Sequence, residues 1–110
     1  MMTESDQRTA EELRMRLLAQ GKGHICRLIL YGSRARGTAS PDSDFDLLVV
    51  ETDPVSTWDE MRRLRQVMRD LPYPVDVWIM GKREFEETKH VIGGLAYPAH
   101  KYGVVLYENA

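Results

Sequence analysis

Two short apolar runs limit what this chain can fold into: Ile25 to Tyr31, with glycine on either side, and Leu47 to Val50, entered through Asp44-Phe45-Asp46. Each run is too short for a buried helix, so each predicts a strand in the interior of a sheet. Gly32 and Ser33 end the first strand. The stretch Arg34 to Ser43 is small and polar, and Gly37, Ser40 and Pro41 mark it as a loop with room for one helical turn at its start. Asp44 to Val50 then forms the second strand, with Asp44, Asp46 and Leu48 on one face and Phe45, Leu47 and Val49 on the other.

Helical spacing fills the intervals. From Thr3 to Gln20, Ala10, Leu13 and Leu17 recur on one side, with Met15 and Leu18 as flanking candidates, and Gly21 and Gly23 follow as stop signals. Pro54 and the cap candidates Ser56 and Thr57 precede Trp58, Met61, Leu64, Met68 and Leu71, and Pro72 prevents continuation. Val75 to Met80 alternates as a third strand, with Asp76 and Trp78 opposite Val75, Val77 and Ile79. A helix over Arg83 to Ile92 is broken by Gly93 and Gly94. A short helical stretch to Tyr102 follows, with Gly103 as its cap and Val104 to Tyr107 as the last strand. The order αβ(α)βαβααβ predicts an α/β (α+β) domain with helices packed on a small sheet.

Size and composition narrow the function classes. The 110 residues suit a single domain over residues 1–110, and 43% hydrophobic content suffices for its core. Cys26 is the only cysteine, so no intrachain disulfide is available, a reducing compartment is expected and a cysteine-rich zinc site is excluded. Its place on the first strand reads as a core position. Fifteen Lys and Arg against 17 Asp and Glu leave a net charge of -2, without the basic excess of a protein that tracks nucleic acid directly. No apolar run approaches the roughly 20 residues that span a bilayer, and the N-terminus is polar, so a cytoplasmic protein with no membrane contact is expected.

The chemistry is concentrated in Gly32-Ser33-Arg34-Ala35-Arg36-Gly37 and the Asp44-Phe45-Asp46 that follows. Carboxylates at i and i+2 on a strand project to one side and repel each other unless a cation lies between them. Magnesium suits such a pair, because Mg²⁺ keeps several waters and is held by one or two carboxylates plus substrate phosphates. A Gly-Ser turn lets backbone and hydroxyl approach a phosphate. Either piece alone is commonly a plain turn or a solvated loop; Asp46 running straight into Leu47-Leu48-Val49-Val50 ties the acids to a buried strand instead. A calcium loop beginning at Asp42 fails, since Leu47 stands where the glycine belongs and Asp53 where the bidentate Glu belongs. A Walker-type loop fails too, as no Gly-Lys-Ser or Gly-Lys-Thr follows the glycines.

Gly32-Ser33, ten intervening residues and then Asp44-Phe45-Asp46 resembles the signature of the polymerase beta-like nucleotidyltransferase superfamily, and Gly-Ser-Arg-Ala-Arg-Gly resembles its minimal nucleotidyltransferase (MNT) branch. The resemblance implies a nucleotidyltransferase fold with a small mixed sheet of about four strands flanked by helices. It implies a third carboxylate on a later strand, for which Asp76 is the candidate; taken alone, Asp76 reads as a strand-end acid in water. Asp44, Asp46 and Asp76 would be the catalytic and metal-binding residues, with Mg²⁺ as cofactor and ATP as substrate. Gly32 and Ser33 would grip the β- and γ-phosphates, with Arg36 as a further phosphate ligand; Arg36 reads equally as a solvated loop charge, and Arg34 more readily so.

Other residues read more plainly. Trp78 could stack on adenine, but a strand tryptophan is more often core. His24, His90 and His100 share no ligand spacing. Arg62, Arg63, Arg65 and Arg69 read as a solvated helix face relieved by Asp59, Glu60 and Asp70, or as a surface for an acidic partner. Minimal nucleotidyltransferases resemble the antitoxin half of two-gene toxin–antitoxin systems, which implies a helical HEPN-domain ribonuclease toxin as partner, assembled with this chain, and transfer of AMP from ATP to a tyrosine hydroxyl on it. Neutralisation by binding alone and adenylylation of a small hydroxyl compound remain alternative readings.

Overall fold

A computed structural model describes residues 1–21 and 23–109. Helix α1 (Glu4–Gly21) starts where the Thr3 hydroxyl accepts the Asp6 amide at 3.1 Å and buries Ala10, Leu13 and Leu17. Met15 points outward, 62% exposed, and lies off the apolar stripe. The remaining elements are β1 (Ile25–Tyr31), α2 (Ser33–Arg36), β2 (Phe45–Glu51), α3 (Thr57–Val67), β3 (Val75–Gly81), α4 (Lys82–Thr88), α5 (Ala96–Tyr102) and β4 (Val104–Glu108). Among the described residues no helix is long and apolar enough to cross a membrane.

The strands form one mixed sheet in the order β3-β2-β1-β4. β1 runs antiparallel to β2 and β4, while β2 and β3 are parallel, joined by a crossover that contains α3. Alternation then sorts the side chains into two layers. Leu28, Leu30, Phe45, Leu47, Val49, Val77 and Ile79 pack with α1 and α3, whereas Ile29, Leu48, Val50 and Met80 pack with Phe85 of α4 and Ala96 and Ala99 of α5.

Several expectations give way to tertiary context. Helix α3 ends at Val67, with Leu71 in the turns beyond, and Trp58 is 71% exposed on its outer side. Helix α4 stops at Thr88, leaving Val91 and Ile92 exposed in the following turns. Cys26 is only half-buried, because β1 loses its regular register between Ile25 and Arg27, and its thiol meets the Thr52 hydroxyl at 3.1 Å. Gly103 closes α5 in extended rather than left-handed backbone; a Cβ there would run into the Ala99 carbonyl and the Ile29 side chain.

Glu51, the last residue of β2, is 3% exposed, and its Oε2 has no hydrogen-bond partner among the described residues. Arg63 is already committed to Glu60 by a two-pronged contact of 2.9 Å on each arm. Burial and the neighbouring Glu60 push the Glu51 carboxyl up to about 8 from its usual 4.5. Between those values the folded protein keeps a proton that the unfolded chain releases, so stability falls as pH rises through that window. Glu51→Gln is expected to remove this slope and to stabilise the protein by about 2 kcal/mol above pH 8, read as unfolding midpoints across a pH series. Parallel slopes for the two proteins would show that Glu51 is already ionised in the fold.

Candidate active site

The register of the sheet brings three polar residues into one row: Tyr31 lies opposite Asp46, and Asp46 lies opposite Asp76. All three sit on the face that α4 and α5 cover further along, just past the apolar rows Ile29–Leu48 and Val50–Met80. Asp44 precedes β2 and is exposed; Asp46 and Asp76 are half-buried. Asp46 feels both of the other carboxylates. Burial first, then Asp76 and Asp44, raise the Asp46 carboxyl above the ordinary range. Burial, Asp46 and Asp76 likewise raise the Tyr31 phenol well above its usual value, so it stays protonated.

Gly32 turns the chain out of β1 with φ at 80°, in the left-handed region that favours glycine. A Cβ there would stand 2.5 Å from Asp46 Oδ2, so the bare backbone is what lets the carboxylate lie against the turn. Ser33 opens α2, a single helical turn closed by Gly37, whose amide returns to the Ser33 carbonyl. This is the turn for which the polar loop had room.

Asp76 is held on both oxygens. Trp78 Nε1 donates to Oδ2 at 2.8 Å, and Arg65 Nη2 donates to Oδ1 at 3.4 Å. Arg65 reaches from α3 around the free side of β3, where its Nε also donates to the Val77 carbonyl at 2.9 Å and its guanidinium lies 5.1 Å from the Trp78 ring centre. Trp78 is therefore not a core residue: it is 40% exposed, because the polar end of this face lies past the part that α4 and α5 cover. Arg65 is not a free surface charge either.

Arg34 is a brace. It donates to the Ser43 and Pro41 carbonyls and to Asp6, and it lies 4.5 Å above the Phe45 ring, fastening the loop that leads into Asp44. Arg36 is exposed, with no side-chain hydrogen bond or ion pair among the described residues. His90 and His100 pack edge to face at 5.1 Å. Sequence reasoning singled out neither Tyr31 nor Arg65 for this site. Tyr31 abuts Gly32, which was a usable signal; Arg65 carried none, since its role depends on how α3 is rotated over β3.

Among the described residues no three His, Cys, Asp or Glu side chains are grouped closely enough to hold a metal ion. A magnesium site shared between protein and nucleotide needs fewer protein donors, and a half-buried carboxylate flanked by two others is the donor set a hard cation would relieve.

The profile of the nucleotidyltransferase domain family matches residues 10–97. The chain belongs to the nucleotidyltransferase domain family. That match runs from within α1 to the start of α5, and so contains the Gly32 turn and all three carboxylates. A Sulfolobus solfataricus protein assigned as a nucleotidyltransferase has a similar structure, with a TM-score of 0.63 at 18% identity over 94% of this chain and 85% of that one. A toxin–antitoxin structure with AMP-PNP gives 0.57 at 20% identity, and a mutant of the toxin–antitoxin MntA-HpeT gives 0.53 at 18%; each covers 90% of this chain and 73% of the other. At these identities the likeness is one of fold. No curated protein sequence matches this chain.

Proposed function

We propose that the chain is a magnesium-dependent nucleotidyltransferase that moves AMP from ATP onto a tyrosine hydroxyl of a helical HEPN-domain ribonuclease toxin in the cytoplasm, and so neutralises it. The observation that carries this is the row Tyr31–Asp46–Asp76 beside the side-chain-free turn at Gly32, in a chain of the nucleotidyltransferase domain family. Similarity to toxin–antitoxin structures, one of them with AMP-PNP, supports the nucleotide and the protein acceptor.

In this reading the bare Gly32 turn lets Asp46 lie against it, the Ser33 hydroxyl and the amides of the Gly32-Ser33 turn donate to oxygens of the terminal phosphates, and Arg36 adds an exposed cation. Asp44 and Asp46 would hold magnesium, with Asp76 completing the set. The bound ion supplies neutralisation of the charge that builds on the phosphate oxygens. Asp76 is the acceptor of the tyrosine proton: each of its oxygens keeps a lone pair beyond the contacts to Trp78 and Arg65, which hold it in place. The freed oxygen bonds to the α-phosphorus as the bond to pyrophosphate breaks on the far side, and AMP ends on the tyrosine. The Tyr31 phenol, kept protonated, offers a hydrogen-bond donor to the carboxylates or the phosphates.

The test is to incubate the protein with ATP labelled at the α-phosphate, Mg²⁺ and a co-expressed helical ribonuclease partner, and to read the partner by mass spectrometry. A mass gain of AMP units on a tyrosine, absent with the Asp44→Asn/Asp46→Asn variant, is expected. Complete inhibition of the ribonuclease by that variant, without label, would replace this reading by binding alone. Label found only on a small hydroxyl compound would move the acceptor away from protein.

A further inference from the structure

Trp58, Arg62, Arg65 and Arg69 fall on one face of α3 and its C-terminal turn, at steps of four, three and four residues. Two adjoining grooves of about 200 and 490 Å³ run along this face and share Arg65 and Arg69; Arg65 reaches from them around the edge of β3 to Asp76 on the other face of the sheet. The acids expected to neutralise the stripe do not reach it. Asp59 accepts from the Ser56 hydroxyl at 2.8 Å, Glu60 is held by Arg63, and Asp70 pairs with Arg16 at 2.7 Å. Arg62 and Arg69 are left exposed, with no ion pair among the described residues, beside a tryptophan that is 71% exposed.

We infer that this face docks an acidic helix of the acceptor protein and thereby brings its hydroxyl toward Asp76; the inference rests on the reading that the acceptor is a protein. Arg62 and Arg69 are two helical turns apart, roughly 10 Å along the axis. Carboxylates at i, i+3 and i+7 of a partner helix repeat at the same interval and can accept guanidinium forks. Arginine and tryptophan are the side chains that most often dominate protein interfaces, and here Trp58 supplies the apolar area while the arginines select the partner and speed its approach. A single-stranded nucleic acid fits less well. The stripe offers only two unpaired cations, in a chain of net charge -2, where a nucleic-acid track needs a sustained basic excess.

The probes are an alanine-based helical peptide with glutamates at successive i, i+3 and i+7 positions, its glutamine and lysine counterparts, and a short oligouridylate, each labelled and read by fluorescence anisotropy at low salt. The glutamate peptide is expected to bind at least ~10-fold more tightly than the glutamine peptide. Arg62→Glu/Arg69→Glu should lose the glutamate peptide and gain the lysine peptide, a gain that an unfolded variant could not produce. Trp58→Ala should weaken binding by about tenfold. The Asp44→Asn/Asp46→Asn protein should bind the glutamate peptide as well as the unaltered chain, so that docking stands or falls apart from transfer chemistry. No binding of the glutamate peptide, binding unchanged by Arg62→Glu/Arg69→Glu, or tighter binding of oligouridylate would each overturn the inference.

Discussion

Asp46→Asn is expected to lower nucleotide transfer by about 10³-fold while slightly raising thermal stability. The two effects have one cause. Asp46 is half-buried, and both Asp76 and Asp44 act against its ionisation, so its charge is unfavourable in the folded protein. Its folded pKa is raised, so above the usual carboxylate range ionisation costs stability that the unfolded chain does not lose. Asparagine keeps the shape, removes the repulsion and cannot replace the negative charge that would hold magnesium. Three decades of rate correspond to about 4 kcal/mol, which is within reach of a single charge in a site of this kind. Initial rates of AMP transfer and a calorimetric scan on the same preparation check both halves. Activity within tenfold of the unaltered protein would remove Asp46 from the chemistry, and a clear fall in the melting temperature would show that its carboxylate has a stabilising partner.

Arg34→Ala should unfold the protein far more readily, with a loss of about 3 kcal/mol and a fall in melting temperature of roughly 10–20 °C. The Arg34 side chain is 12% exposed and that of Asp6 is 8% exposed, joined at 3.1 Å. Alanine would leave Asp6 as a buried charge with no partner, and would release the Ser43 and Pro41 carbonyls that the guanidinium gathers. Removing one member of a buried pair is the costly case, because the other cannot return to water without moving its helix. Arg34→Lys should recover only part of the loss, since an ammonium keeps the charge but cannot reach Asp6 and both carbonyls as a fork does. Urea unfolding of the two variants measures this directly. A loss below about 1 kcal/mol for alanine would mean the pair is solvated in solution.

The strands were legible because Ile25–Tyr31 and Leu47–Val50 are too apolar and too short for anything else, and the glycine turn because Gly32-Ser33 interrupts one of them. The pairing of those strands was not. Which residue of β1 faces Asp46 is decided by contacts between distant parts of the chain, so Tyr31 carried no mark beyond its place before Gly32. The exposure of Trp78 is hidden in the sequence for a related reason: alternation tells which face a residue joins, but not where along that face the covering helices stop. The arginines of α3 read as relieved by acids nearby in sequence, and Glu60 does pair with Arg63, but Asp70 goes to Arg16 and Asp59 accepts from Ser56, which leaves Arg62 and Arg69 without an ion pair among the described residues. Arg34 reads in the sequence as a loop charge, whereas in the structure it anchors the loop, because Asp6 approaches it from α1, 28 residues away in sequence.

Arg65 has one more consequence. β3 is an outer strand, and the unpaired backbone groups of such a strand invite another chain to add itself and begin an aggregate. By donating to the Val77 carbonyl, Arg65 occupies one acceptor of that row and lays a bulky cation across it. The side chain that steadies Asp76 thus also acts as a gatekeeper of colloidal behaviour. A change at position 65 would expose the protein to self-association as well as loosen its third carboxylate.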